Sequence, residues 1–280
     1  MVSVRHLLFL AALALHQGHP GTLRIAVVGD TGNGSAAVAR GISALHAQSP
    51  FDAIVLTGDT FYPCGVSSIS DPRWSVATPL TAIGAPVYEI LGNHDYCGSS
   101  KHEAQRDTPL ANWNFPATQY TLRSPLADFV MIDTTPLAYG YNTAAMDAVR
   151  NGFASSRAHW RIVVGHHSIV SSGWHGRFPK DQHARMLTLI RPMQDAKVDL
   201  YLCGHDHHLE LLDTNPRMLV SGAGSSPIPP IARRPKTLWP DEPMRSIGFA
   251  VVEVTPKTMT IRFYDASAKP LSRSFTFTKE

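Results

Sequence analysis

Five short apolar runs punctuate this chain, and each ends in a glycine followed at once by side chains able to ligate a metal. The runs are Leu23–Val28, Ala53–Leu56, Val87–Leu91, Arg161–Val164 and Val198–Cys203. Their length and β-branched content read as buried strands. After them come Gly29-Asp30-Thr31-Gly32, Gly58-Asp59-Thr60-Phe61-Tyr62, Gly92-Asn93-His94-Asp95, Gly165-His166-His167 and Gly204-His205-Asp206-His207. Helix-like stretches lie between them at Ser35–Gln48, Ala144–Ala158 and Gln182–Met193. Such alternation calls for an α/β arrangement. In open α/β sheets the loops beyond the carboxyl ends of the strands build the site, so these five loops are expected to converge. Each loop glycine is expected to supply a sharp turn, because glycine adopts positive φ freely.

After Arg217 the pattern changes to strands without helices: Met218–Ser221, Phe249–Val254, Met259–Tyr264 and Ser274–Thr278. This tail suggests a second sheet packed on the first, with Pro227–Pro243 as a long surface loop lining the site. There is no internal repeat and no Gly/Ser-rich linker in the 280 residues, which favours one domain over residues 20–280. The net charge of +3 helps attract anionic substrates, and no Lys/Arg run suggests nucleic acid. Of 14 histidines, many crowd into Gly165–His208, which points to metal.

At the amino terminus Arg5 precedes an apolar run from Leu7 to Leu15 and a polar, turn-like His16-Gln17-Gly18-His19-Pro20. The run is about half the ~20 residues of a membrane-spanning helix. It reads as a signal peptide over residues 1–19, with export to the periplasm or beyond. A buried first strand is the alternative. A monomer without a stable membrane span is expected.

A single Gly-Asp after a strand is an ordinary turn, but five metal-capable loops in order are hard to attribute to packing. On these motifs the chain resembles the purple acid phosphatases, a branch of the calcineurin-like metallophosphoesterases, and in particular the small tartrate-resistant type of mammals. The likeness runs from about Leu23 to Ser226 and includes Trp113-Asn114-Phe115-Pro116, Met131-Ile132-Asp133-Thr134, Trp174-His175-Gly176 and Ser221-Gly222-Ala223-Gly224. The resemblance implies a four-layer αββα sandwich and hydrolysis of phosphate monoesters by metal-hydroxide attack at a dinuclear centre. It assigns Fe(III) to Asp30, Asp59, Tyr62 and His207. A divalent Fe(II), Zn(II) or Mn(II) goes to Asp59 as bridge with Asn93, His166 and His205. Hard phenolate and carboxylate donors suit the trivalent ion, and imidazoles and an amide oxygen suit the divalent one.

His94 and His175 are the expected proton donors to the leaving group, with Asp95 orienting His94. Small phosphomonoesters or phosphoproteins are the expected substrates. His167 and His208 sit beside ligands at positions that point the other way on extended backbone, toward outer-sphere partners or solvent. Asp206 is expected to accept hydrogen bonds rather than to ligate. The stretch Thr134–Ala158 is too short for the protease-sensitive loop of the mammalian enzymes, so no proteolytic activation is expected. Residue 167 is His where they have Tyr.

The rival within the fold is a phosphodiesterase or phosphoprotein phosphatase. Those relatives carry a metal-binding His two residues after the first Asp, where this chain has Gly32, with Tyr62 present instead. A non-catalytic metal-binding module is disfavoured by the presence of His94 and His175. A Rossmann reading fails on glycine spacing. Of the three cysteines, Cys203 ends an apolar run and is expected to be a buried thiol. Cys64 and Cys97 follow the candidate ligands Tyr62 and Asn93. Loops that serve one centre lie side by side, so a Cys64–Cys97 disulfide is expected in an exported protein.

Overall fold

The computed structural model describes residues 11–15, 21–98, 100–140, 142–240 and 245–279. Its strands are β1 (Ala11–Ala14), β2 (Leu23–Val28), β3 (Ala53–Leu56), β4 (Val87–Glu89), β5 (Trp113–Asn114), β6 (Gln119–Arg123), β7 (Ala127–Ile132) and β8 (Trp160–Val164). They continue with β9 (Leu200–Cys203), β10 (Leu209–Leu212), β11 (Arg217–Ser221), β12 (Thr237–Trp239), β13 (Gly248–Val254), β14 (Thr258–Asp265) and β15 (Phe275–Thr278). The longer helices are α1 (Ser35–Gln48), α2 (Ala144–Gly152), α3 (Lys180–Leu187) and α4 (Ile190–Asp195).

One sheet runs β15-β14-β13-β2-β3-β4-β5 and the other β1-β6-β7-β8-β9-β11-β10-β12. Strands β2, β3 and β4 are mutually parallel, as are β7, β8 and β9. The side chains alternate between faces with the two-residue period of a strand. Phe129, Met131, Ile162, Val164, Leu200 and Leu202 enter the core shared with the first sheet. Val130, Ile132, Val163, Tyr201 and Cys203 face the other way, where Ala145, Ala148 and Val149 of α2 and Met193 of α4 cover them. Helix α1 buries Val38, Ile42 and Leu45, an i, i+4, i+7 stripe, in the core that includes the first sheet. Helix, sheet, sheet, helix gives the αββα layering expected of an α/β chain of this type.

The tail does not form a sheet of its own. Strand β13 pairs antiparallel with β2, and β11 pairs parallel with β9. Each of those inner strands would otherwise leave one row of backbone donors and acceptors unpaired, and the tail strands satisfy it. Two helices also differ from the sequence pattern. Helix α2 ends at Gly152, where a methyl group would lie 2.5 Å from Val130 Cγ2. The stretch read as one helix over Gln182–Met193 is broken into α3 and α4, because Pro192 has no amide to bond back to the carbonyl of Thr188. Ala11–Ala14, inside the apolar run read as a signal peptide, pairs parallel with β6. The rest of that segment, residues 1–10 and 16–20, lies outside the described residues.

Candidate metal centre

Asp30, Asp59 and His205 follow β2, β3 and β9 with φ of 56°, 54° and 66°. Non-glycine residues rarely take this left-handed conformation, and where they do the surrounding structure must impose it. Here it does: the Asp30 amide donates to Gly58 O at 3.0 Å, and the His205 amide donates to Asp30 Oδ2 at 2.9 Å. The expected division of labour is therefore corrected. Among the five glycines that open the loops, Gly58 alone has positive φ, at 89°. Gly92 answers a need for space instead, since a methyl group there would sit 2.1 Å from Asp59 Oδ1.

The loops bring their donors together in two groups that share Asp59. In the first, Tyr62 Oη lies 3.1 Å from Asp30 Oδ1, 3.3 Å from Asp59 Oδ2 and 3.2 Å from His207 Nε2. In the second, His166 Nε2 lies 3.2 Å from Asp59 Oδ2, 3.1 Å from Asn93 Oδ1 and 3.1 Å from His205 Nδ1. Donors held about 2.1 Å from one ion at tetrahedral or octahedral angles stand roughly 3.0–3.4 Å apart. Both groups have that spacing. Asp59, His166 and His205 also form a compact triad, with ligand atoms within 4.8 Å of one another.

The electrostatics ask for cations. Tyr62 has one proton to offer three acceptors, so most of the lone pairs around it oppose one another. Burial, and then the Asp30 and Asp59 carboxylates, push its phenol far above its ordinary range. Burial works against ionisation of Asp59, yet His166 and His94 outweigh it and hold the carboxyl at about 2. Burial likewise opposes protonation of His166, and Asp59 overcomes this to raise it to about 9. His166 Nδ1 faces the carbonyl of Thr57 at 2.8 Å. In that tautomer Nδ1–H donates to the carbonyl and leaves the Nε2 lone pair toward the centre, the usual partnership of a ligating histidine.

The flanking groups differ in part from the sequence expectation. Asp95 does not orient His94. The Asn93–Tyr96 turn carries its carboxylate inward, where it accepts Gly92 N at 2.9 Å and Gln105 Nε2 at 2.6 Å. Burial, with Asp59 nearby, raises that carboxyl to about 7. The partner of His94 is Pro63 O, bonded to Nδ1, which no side-chain motif announces. His94 Nε2 thereby stands 3.9 Å from Asp59 Oδ2.

The ring of His175 packs on His205 with centroids 3.8 Å apart. Asp206 accepts the amides of His175 and Gly176 and the hydroxyl of Ser171, and so ties the His175 loop to the strand end between two donors. Neither His167 nor His208 reaches solvent. His167 bonds Thr134 Oγ1 through Nδ1 at 2.8 Å and packs on His205, while His208 pairs with buried Glu210 at 3.1 Å.

A disulfide joins Cys64 to Cys97 with Cα atoms 5.3 Å apart, tying the Tyr62 loop to the Asn93 loop as expected. Cys203 is a buried free thiol, its pKa raised by burial.

Residues 23–209 match the calcineurin-like phosphoesterase family. Purple acid phosphatase 17 of Arabidopsis thaliana is 31% identical, over 91% of this chain and 85% of its own length. Human tartrate-resistant acid phosphatase type 5 is 27% identical, over 96% of each chain. A solved structure, GAP50, the anchor in the inner membrane complex of Plasmodium, shares the fold at a TM-score of 0.76. It is 24% identical and aligns over 92% of this chain and 89% of that one. The shared fold, the matched residues and the relatives agree: this chain belongs to the calcineurin-like phosphoesterases, within the purple acid phosphatases.

Proposed function

We propose that this chain is an acid phosphatase that hydrolyses phosphate monoesters at a centre of Fe(III) and a divalent Fe(II), Zn(II) or Mn(II). The observation that carries the reading is Asp59 Oδ2, which stands 3.3 Å from Tyr62 Oη and 3.2 Å from His166 Nε2, at the seam between the two donor groups. Asp30, Asp59, Tyr62 and His207 would hold the trivalent ion. Asp59, Asn93, His166 and His205 would hold the divalent one. Once bound, such a pair acts as a Lewis-acid clamp on a phosphoryl group and acidifies water enough to keep a nucleophile available at acidic pH.

The chain's own groups do the rest. The carboxylates of Asp30 and Asp59 and the phenolate of Tyr62 would offset most of the charge of such a pair and leave the buried centre net positive, which suits a phosphate oxyanion. Pro63 O fixes Nδ1 of His94, so Nε2 is the nitrogen able to hand a proton to a departing alkoxide. His175, held against His205 by the Asp206 loop, is the second group near the leaving side. Tyr62 also argues against the phosphodiesterase alternative. A methyl group at Gly32 would lie 2.9 Å from Tyr62 Cδ2, so the phenol ring occupies the space a ligating His at that position would need.

Small phosphomonoesters or phosphoproteins are the substrates of this reading, with residues 20–280 as one catalytic domain behind a signal peptide at 1–19. The Cys64–Cys97 disulfide supports export, since such bridges persist in oxidising compartments. No helix among the described residues is long and apolar enough to cross a membrane.

The test is His94→Ala in the metal-loaded enzyme. Near pH 5 the rate should fall roughly 10²–10⁴-fold on alkyl phosphates, the worth of a general acid. The loss should be smaller on nitrophenyl phosphate, whose leaving group needs no proton. Equal losses on both substrates would remove His94 from that role.

A further inference from the structure

A second cavity, of about 260 Å³, opens between Tyr96, the residue that follows β7, and one face of α2. No candidate metal donor lines it. Helix α2 turns Ala144, Asp147, Ala148 and Asn151 toward the space, the i, i+3, i+4 and i+7 positions of a single face. The two alanines leave room there that longer side chains would fill.

The charge around this space is of one sign. Two carboxylates line it, Asp133 and Asp147, and no Lys or Arg does among the described residues. Asp147 is 47% exposed at its side chain and bonds Arg150 at 2.9 Å. Asp133 is only 2% exposed, and the groups bonded to it are neutral donors, the Tyr96 hydroxyl and the Thr135 amide. Burial pushes its carboxyl up to about 6, so at neutral pH it still carries a charge. Charges taken out of water are ordinarily paired. A cavity beside this one leaves room for the missing partner.

The other walls say what kind of cation fits. The rings of Tyr96 and His102 stand 4.6 Å apart at 32°, and both line the space. Burial lowers the pKa of His102, which keeps its ring neutral, and Glu103 lies 3.3 Å from its Nε2. Such surroundings repel phosphate and carboxylate. A bare metal ion is served elsewhere: Asp59, His166 and His205 are the one trio of His, Cys or acidic donors close enough to share an ion among the described residues. Aromatic faces and methyl groups suit a cation that carries carbon.

We propose that this cavity binds a small aliphatic ammonium ion, its charge toward Asp133 and Asp147 and its stem along Ala144, Ala148 and Tyr96. The inference does not depend on the phosphatase reading. A cavity of roughly 150 Å³ already accepts benzene, so a stem of about five carbons fits here.

Calorimetry on the metal-loaded protein with pentylammonium chloride and with 1-pentanol tests this, at about pH 7.5, where the amine is charged. The two probes share a stem and differ in charge. Wild type should bind the ammonium ion at least about tenfold more tightly than the alcohol. Asp133→Asn keeps the side-chain shape and an acceptor for Tyr96, and should remove most of that preference. Asp147→Asn, on the half-exposed face of α2, does not touch the core and should cut the preference about threefold or more. It decides the matter alone if the buried Asp133→Asn fails to fold. No binding of the ammonium ion, a wild-type ratio below about two, or a ratio that Asp147→Asn leaves unchanged would overturn the proposal.

Discussion

The carboxylate of Asp206 accepts the backbone amide of His175 at 2.9 Å, although the two residues lie on loops that leave different strands. Asp206 stands between His205 and His207, so the segment that brings two candidate metal donors also sets the height of the His175 loop. A carboxylate there accepts Ser171 Oγ and the Gly176 amide as well. Charge-assisted bonds of this kind are worth about 1.5–3 kcal/mol each.

Asp206→Asn should therefore loosen the loop without removing a ligand. We expect kcat to fall roughly tenfold or more, because small displacements near the chemistry are costly. In that background His175→Ala should add little, since both changes act on one unit. A double-mutant cycle in kcat checks this, and fully additive losses would separate Asp206 from His175.

The Cys64–Cys97 bridge closes a loop of 33 residues' separation. Constraint of the unfolded chain over that length is worth roughly 3–4 kcal/mol. Replacing both cysteines by serine should lower stability by about that amount in denaturant unfolding. Reductant should destabilise wild type and leave the double variant unchanged.

Asp71 supplies the pH dependence. Its bond to the Arg73 side chain, with help from the Arg73 and Ser67 amides, holds its carboxyl well below the ordinary range despite burial. Arg73 in turn bonds Cys64 O at 2.7 Å, so the pair braces the disulfide loop. A depressed carboxyl contributes stability in full above its unfolded pKa of about 3.9 and loses it as pH falls toward the folded value. Wild type should melt higher than Asp71→Asn at pH 5, and the gap should narrow steadily below pH 4. A gap constant down to pH 2 would contradict the assignment.

Much of the site was legible because chemistry demands particular side chains at strand ends. Asp30, Asp59, Tyr62, Asn93, His166, His205 and His207 were readable in the sequence, and the structure brings them together. What escaped depends on direction or distance along the chain. Adjacency to His94 says nothing of where Asp95 points, and the turn at Asn93–Tyr96 sends it inward to Gln105. The partner of His94 is a backbone carbonyl, which leaves no mark in residue identity. The pairing of β13 with β2 joins segments more than two hundred positions apart, so no local pattern could allot the tail to its sheets. Continuous apolar runs mark the central strands, whereas Gln119–Arg123 alternates polar and apolar residues, too short a signal to separate from a loop until β6 pairs with β7.

Tyr62 is proposed to hold a trivalent iron beside a second metal, with Asp59 common to the two donor groups. The direct measurement is the visible spectrum of the wild-type protein, purified with its own metal and mildly oxidised, alongside its iron content and that of Tyr62→Phe. A coloured wild type with a tyrosinate-to-iron absorption band is expected, and a Tyr62→Phe protein that keeps its fold and loses the band. A wild type that carries a full complement of iron and shows no such band would contradict it.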